Sequence, residues 1–160
     1  MADLTNVGKK AEAKIKEWLN MPEEGFFFYR LPDQLNGFYG STNPCDFIMF
    51  KKPHFYMIES KATYEDRFDF SMISENQHKD MIEASKVDGV KSIVIVLFAS
   101  YKRAFILDIN DIVASESAGK KSINIKKEPK WDIPHVEIPT VPSRKALLDY
   151  DKEFAIKHFQ

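Results

Sequence analysis

An uninterrupted apolar run near the middle of the chain constrains the fold more than any other feature. The run covers residues 92–98, reads SIVIVLF and follows Gly89. A strand with one exposed face alternates polar and apolar residues, whereas a continuous β-branched and aliphatic run is typical of a strand covered on both faces. Such a strand needs a layer of structure on each side of its sheet. We therefore predict a central strand here.

The elements predicted around this strand define the fold class. Apolar residues recur at helical spacing near both ends of the chain, and short β-prone runs lie between them. The order helix, strands, helix, strand, strand, helix predicts an α/β fold with a mixed central β-sheet flanked by helices. The predicted elements are a helix over 6–19, a buried strand over 26–30, a hairpin over 47–58, a helix from 74 to about 86, a strand over 104–107, a helical turn over 108–113 and a last helix that Ser143 caps and that ends near His158.

Three segments lack a clear period and are predicted to be irregular. Residues 31–43 form a loop in which Gly37 and Gly40 shape the approach to Asp46. Residues 62–71 are interpreted as a loop beside the same region. Residues 115–143 are rich in Lys, Ser and Pro and are predicted to be extended on the surface.

Composition restricts the class of protein. The chain has 160 residues, of which 44% are hydrophobic and 29% charged, as expected for a globular protein with one domain over residues 1–160. No apolar run approaches the length of a membrane span, and the first residues lack a signal peptide's apolar region. We expect no membrane partner and a cytoplasmic location.

Cysteine content and charge exclude further classes. Cys45 is the only cysteine, so an internal disulfide is impossible and a cysteine-based zinc site is disfavoured. The formal net charge of −1 argues against a protein that coats DNA through charge alone. Lysines nevertheless cluster on the first helix and over residues 120–130, so a local nucleic-acid surface stays open.

Residues 41–61 contain a pattern of charged residues that suggests a catalytic or metal-binding site. Asp46 precedes Glu59 by thirteen positions, and Lys61 follows two residues later. Successive side chains of a strand alternate between faces, so Glu59 and Lys61 share one otherwise apolar face with Phe55 and Met57. A charge on a half-buried face is costly unless it has a partner or a metal ion.

A hairpin brings the acidic residues together. Residues 51–53 (Lys-Lys-Pro) predict a turn between two β-prone runs, which returns Asp46 to the side of Glu59. Two carboxylates suit Mg²⁺, and the ammonium group of Lys61 suits the charge that develops on an attacked phosphate. The alternative is an ordinary cross-strand ion pair between Glu59 and Lys61.

Two further polar residues have a functional and a structural interpretation. Glu12 lies at the margin of the apolar stripe of the first helix, where it either faces a site or pairs with Lys16 at i+4. Gln77 follows Ser74 in an S-x-x-Q capping box, which by itself explains a glutamine at the start of a helix.

These motifs together resemble the PD-(D/E)xK nuclease superfamily, and within it the RecU-type Holliday-junction resolvases. The shared order is a glycine four residues before Glu12, a Ser-Thr pair before Asp46, the Glu59-x-Lys61 pair, Gln77 at a helix start and an apolar strand. The similarity extends to further segments, namely Asn76-Gln77-His78, Gly89, Lys121-Ser122-Ile123 and Leu147-Leu148-Asp149-Tyr150.

The resemblance implies a restriction-endonuclease-like core and a magnesium-dependent endodeoxyribonuclease. It implies that Asp46, Glu59 and Gln77 bind Mg²⁺, with Mn²⁺ as a possible substitute. Lys61 then stabilises the transition state or positions the water, and Glu12 is an accessory acid. The expected substrate is branched DNA such as a four-way junction in recombination or repair, and the expected assembly is a homodimer. Two residues that flank the motif are candidates for binding the DNA backbone: Arg67 and Lys79.

Two departures from the RecU-type pattern keep alternatives open. Pro44 stands where these enzymes have a threonine two residues before the aspartate. The segment before the hairpin is also short for the projecting stalk that they insert at a junction. Two other functions therefore stay open: another PD-(D/E)xK endonuclease of phage or restriction type, and a non-catalytic nucleic-acid-binding module on the same fold.

Overall fold

A mixed β-sheet organises the molecule. The computed structural model describes residues 4–33, 43–145 and 148–160. Within them, the strands are β1 (Phe27–Arg30), β2 (Phe47–Lys51), β3 (His54–Thr63), β4 (Arg67–Asp69), β5 (Val90–Phe98), β6 (Arg103–Asp108), β7 (Ser122–Asn124), β8 (Val136–Glu137), β9 (Thr140–Pro142) and β10 (Leu148–Tyr150). The α-helices are α1 (Leu4–Leu19), α2 (Glu75–Ser85), α3 (Ile109–Ser117) and α4 (Lys152–His158).

The main sheet has the order β1-β2-β3-β5-β6-β8, with two small sheets of β4 with β7 and β9 with β10. Strands β3 and β5 are parallel, whereas the other neighbours in the main sheet are antiparallel. Residues 92–96 of β5 are buried in succession. The predicted central strand and mixed sheet are therefore confirmed.

A hydrophobic core covers each face of the sheet. On one face, Ile15 and Trp18 of α1 and Phe159, which follows α4, pack against inward residues such as Ile58 and Ile95. On the other face, Met81 of α2 and Ile112 of α3 pack against Met57 and Val94. The alternation of side chains along β3 and β5 sends successive residues into different cores, so these strands need apolar residues at nearly every position.

The predicted hairpin is present and longer than expected. Strands β2 and β3 are antiparallel, with Phe47 opposite Ile58 and Lys51 opposite His54. Strand β3 continues to Thr63, because its second half pairs with β5 up to Phe98. The interpretation of residues 62–71 as a loop is therefore wrong at both ends, since β4 also lies within them.

The prediction that residues 26–30 form a buried strand is wrong in one respect. The strand exists as β1, but β1 is at the edge of the sheet, and its burial alternates. Phe28 packs against the core under α1, while Phe27 and Tyr29 are exposed on the opposite face. A run of aromatic residues did not reveal that one face of this strand is left uncovered.

The C-terminal predictions need three corrections. The last helix begins at Lys152 and is capped by the Asp151 side chain, which accepts a hydrogen bond from the Glu153 amide. Ser143 does not cap it, because residues 148–150 are extended and pair with β9. The helical turn predicted over 108–113 continues to Ser117 as α3. Residues 115–143 are not purely superficial, since they bury four isoleucines: Ile123, Ile125, Ile133 and Ile138.

In the part of the chain that the structure describes, every helix is too short or too polar to cross a lipid bilayer.

Candidate active site

The register of the hairpin places the two predicted acids side by side. Phe47 is opposite Ile58, so the next position along each strand brings Asp46 opposite Glu59. Directly opposite residues of an antiparallel pair project from the same face. The Asp46 amide donates a hydrogen bond to the Ile58 carbonyl at 3.1 Å, which continues the ladder to this point. The sequence-based prediction that the hairpin brings these carboxylates together is confirmed.

The buried carboxylate of Glu59 has too few polar partners to offset its loss of hydration. Only 2% of its surface is exposed. Its Oε1 lies 3.2 Å from Lys61 Nζ, while Oε2 is buried and has no hydrogen-bond partner among the described residues. Burial, and then the nearby charge of Asp46, raise the pKa of Glu59 to about 8, although Lys61 and Gln77 partly offset this increase. The protonated form is therefore favoured at neutral pH in the absence of an added cation.

Asp46 is held by the backbone of the neighbouring strand. Its Oδ2 accepts a hydrogen bond of 2.8 Å from the Ser60 amide. Burial raises the pKa of Asp46, and the charge of Glu12 raises it further, while the Ser60 amide and Lys61 act in the opposite direction. Two carboxyl groups with raised pKa values in one place create a demand for positive charge that Lys61 alone does not meet.

Lys61 lies two residues beyond Glu59 and therefore on the same face of β3. Its side chain is about one-fifth exposed, so the ammonium group reaches the rim of the site. The ion pair with Glu59 matches the ordinary cross-strand alternative in chemistry, but both residues belong to one strand. Their shared face and the adjacent Asp46 make them part of one polar cluster.

Gln77 has the structural role that its capping-box pattern predicted. The backbone N–H of Gln77 donates to Ser74 Oγ, and the side-chain Oε1 of Gln77 accepts from the backbone N–H of Ser74, both at 3.2 Å. The side chain also lies close enough to Glu59 to lower the pKa of that residue. A carbonyl oxygen has two lone pairs, so Oε1 keeps one for a further donor or a cation. Gln77 therefore belongs to the capping box and also lies beside Glu59 of the predicted site.

Glu12 faces a partner that the sequence analysis did not identify. Arg30, at the end of β1, donates to Glu12 Oε2 from Nη2 at 2.8 Å and from Nε at 3.2 Å. The alternative pairing with Lys16 is not the one observed. Glu12 is near enough to Asp46 for its charge to raise the Asp46 pKa. It therefore lies at the margin of the cluster, bound to an arginine.

The two residues predicted to bind the DNA backbone lie outside the cluster. Arg67 is exposed on β4, and its Nε is 2.8 Å from Asp69 Oδ1. Lys79 is exposed on α2. The pair on β4 is locally neutral, which weakens Arg67 as a phosphate ligand unless the phosphate displaces Asp69. The Ser41-Thr42 pair, Gly37, Gly40 and Leu147 lie outside the described residues.

The donor set fits a hard divalent cation. No group of three or more His, Cys, Asp or Glu side chains that could hold a metal ion is found within residues 4–33, 43–145 and 148–160. Magnesium in proteins is typically bound through one or two carboxylates and keeps several water ligands. Asp46 and Glu59 supply this number, and Oε2 of Glu59 is a buried acceptor that has no donor within the part of the chain that the structure describes.

The sequence analysis missed two groups that support the site. The Ser60 amide orients Asp46, and Arg30 holds Glu12. A backbone donor leaves no signature in residue identity. Arg30 had one available signal, because an arginine ends an aromatic run that otherwise reads as core.

Comparison with known proteins assigns the chain to a family. The family model for RecU, recombination protein U, matches residues 32–146, which include Asp46, Glu59, Lys61 and Gln77 but not Glu12. The fold is similar to that of Hjc from Archaeoglobus fulgidus, a Holliday junction resolvase from an archaeal hyperthermophile, with a TM-score of 0.51 and 18% identity over 76% of this chain and 92% of that one. No curated protein is significantly similar in sequence. The family match spans well over half of the chain, which therefore belongs to the RecU family, within the PD-(D/E)xK nuclease superfamily.

Proposed function

We propose that this protein is a magnesium-dependent endodeoxyribonuclease that resolves Holliday junctions during recombination or repair. One observation carries the proposal: Asp46 and Glu59 lie opposite each other on one sheet face, next to Lys61. Membership of the RecU family supports the choice of branched DNA as substrate. We also propose that the protein acts on DNA in the cytoplasm.

The residues of the cluster have distinct tasks in this proposal. Asp46 and Glu59 hold Mg²⁺ through their carboxylates, and Gln77 contributes its amide oxygen, with Mn²⁺ as a substitute. When bound, the ion lowers the pKa of a coordinated water and polarises the phosphate. The Ser60 amide keeps Asp46 oriented. Lys61 is positioned to stabilise the negative charge that develops on the attacked phosphate.

The outer residues adjust this cluster. Glu12 adds negative charge beside Asp46, and its pairing with Arg30 keeps that charge in place. We assign Arg67 and Lys79 to contacts with the DNA backbone. We also propose a homodimer, because a four-way junction presents two equivalent strands for cutting and closed two-fold assemblies are the commonest oligomers.

A cleavage assay tests the proposal. Purified protein is incubated with a labelled four-way junction, and with linear duplexes of the same arm sequences, in the presence of magnesium, manganese or a chelator. We expect cutting of the junction with either metal and none with the chelator. Sedimentation of the protein with and without the junction tests the dimer.

Two results would contradict the proposal in different ways. Equal rates on junction and duplex would favour a nuclease of phage or restriction type over a resolvase. Junction binding without cutting under any divalent metal would favour a non-catalytic DNA-binding module.

A further inference from the structure

Large aromatic side chains are exposed on one face of β1 and of the adjacent end of β2. Phe27 is 62% exposed, Tyr29 49% and Phe50 45%. Phe27 is directly opposite Phe50 across the two strands, and Tyr29 follows Phe27 on the same face. The three rings therefore form one patch, which we call the aromatic platform. Single exposed apolar residues are common on proteins, whereas the largest contiguous apolar patch of a protein is often a functional surface.

The aromatic platform lies on the same sheet face as the candidate active site. Phe27, Phe50 and Phe55 form one row across β1, β2 and β3. The next row on this face is Tyr29, Ile48 and Met57, and the row after it contains Asp46 and Glu59. Only alternate residues share a face, so the register places the platform and the carboxylates together.

Strand geometry sets the distance between the two regions. Two residues along a strand cover about 6.8 Å, and neighbouring strands are about 4.8 Å apart. The Tyr29 backbone is therefore about 8 Å from that of Asp46, and Phe50 is about 14 Å from it. At about 3.4 Å per base step, these distances correspond to about two to four nucleotides.

Two observations favour nucleotides over another protein surface as the occupant. An aromatic side chain buries about 150–250 Å² when fully covered, so three half-exposed rings offer about 300 Å², whereas a stable interface needs about 800 Å² per partner. The platform also continues directly into the candidate site for phosphodiester cleavage. The exposed Lys52 follows β2 immediately beyond Phe50 and Lys51, at the far end of the platform. Flat rings beside a cation match the mixed stacking and charge of single-stranded nucleic acid.

We propose that Phe27, Tyr29 and Phe50 stack against unpaired bases of branched DNA, two to four nucleotides from the phosphate that is cut. This inference rests on the proposed function, because it takes Asp46 and Glu59 as the site of cleavage. It adds a preference for unpaired nucleotides that the carboxylates alone do not provide. The platform thus selects DNA whose strands separate next to the site.

Binding in the presence of a chelator tests the platform separately from cutting. The probes are a forked DNA with unpaired arms and a fully paired duplex of the same length, each with 2-aminopurine near the fork position. We expect the wild type to bind the fork at least tenfold more tightly than the duplex and to change the 2-aminopurine fluorescence. Combining Phe27→Ala with Tyr29→Ala should weaken fork binding about tenfold, because each stacked ring contributes substantially, and should change duplex binding less than twofold.

Matched variants control for folding and for loss of apolar surface. Val87 is 60% exposed and lies outside the platform, so Val87→Ala should change neither affinity. Phe27→Trp keeps a ring and should retain the preference. All variants should melt close to the wild type, because exposed substitutions have small effects on stability.

Two outcomes would overturn the inference. One is unchanged fork binding in the double alanine variant. The other is a wild-type dimer that sediments as a monomer after the double substitution, which would assign the platform to contact between two copies. A wild type that stacks on the fork but cuts no DNA with magnesium would instead refute the proposed nuclease and leave the platform in place.

Discussion

Two clusters of charged residues differ in how well their charges are balanced. Arg103 on β6 donates to Glu137 from Nε at 2.7 Å and to Glu128 from Nη2 at 2.6 Å. This pairing raises the pKa of Arg103 and lowers that of Glu128. In the Asp46–Glu59 cluster, both carboxyl groups instead have raised pKa values, and one buried oxygen has no partner among the described residues.

The difference distinguishes a cluster whose ion pairs are complete from the cluster that we propose to be the active site. Arg103 forms ion pairs with the acidic residues around it, so this cluster stabilises the pairing of β6 with β8 without an added ligand. Charges around Glu59 are unfavourable in the protein alone, and in the proposed function a bound cation makes them favourable. Binding sites and catalytic sites commonly contain ionisable groups whose pKa values are shifted in this manner. The following variants test the contrast.

The largest effects on cutting are expected from replacing the two carboxylates, and the first of these changes is Asp46→Asn. This change removes one of two carboxylates while keeping the side-chain shape, and we expect the rate of junction cutting to fall about a thousandfold or more. DNA binding should be retained. Initial cleavage rates with magnesium measure the first effect, and binding with a chelator measures the second. The exposed Asp88→Asn variant is the control; cutting by Asp46→Asn at the wild-type rate would exclude Asp46 as a metal ligand.

Glu59→Gln should abolish cutting and stabilise the metal-free protein. Because the pKa of Glu59 is raised to about 8 in the folded state, the unfolded chain releases this proton at lower pH than the folded chain does. The wild type therefore loses stability as pH rises from about 4 to about 8, and the neutral glutamine removes that loss. We expect a gain of at least ~1 kcal/mol near pH 8.

Denaturant unfolding at pH 5 and pH 8, in chelator, measures this gain. The difference between Glu59→Gln and wild type should be larger at pH 8. Added magnesium should then stabilise the wild type but not the variant. A variant that is less stable than the wild type at both pH values would contradict the raised pKa of Glu59 in the folded state.

Arg103→Ala should have the opposite pattern. Removing the guanidinium leaves Glu128 and Glu137 without their main partner, and we expect a loss of about 1–2 kcal/mol in the free energy of unfolding. The cutting rate at a temperature where the variant is folded should stay within about twofold of wild type. Melting curves and cleavage rates from the same preparation provide both values, and a large loss of activity in a folded variant would mean that the two clusters are linked.

The smallest effect on stability is expected from Ser74→Ala. The change removes the hydroxyl that caps α2 and should cost about 1 kcal/mol of stability. The Gln77 backbone amide then loses its acceptor, the Ser74 hydroxyl. We expect a several-fold lower cutting rate, because the first turn of α2, which carries the Gln77 side chain, is then held less firmly near Glu59. Ser74→Thr retains a cap and should restore both properties. Normal cutting by a destabilised Ser74→Ala variant would limit Gln77 to its capping role.

Local patterns predicted a substantial part of the fold and of the site. The apolar run in β5, the capping box of α2 and the turn between β2 and β3 depend on residues close together in sequence, and all three are observed. The pairing of Asp46 with Glu59 followed from that turn. Arg30 as the partner of Glu12 did not, because the contact joins an edge strand to a helix through packing that leaves no local pattern.

The sequence by itself determined the strand and helix types near the site and the register that pairs its carboxylates, because hydrogen-bonding periodicity and turn chemistry act over a few residues. Tertiary structure decided which faces are covered. Residues 26–30 have the composition of a buried strand, yet β1 ends the sheet, and no described element covers Phe27 and Tyr29. Burial depends on how distant elements pack, and the same packing raises the pKa of Glu59.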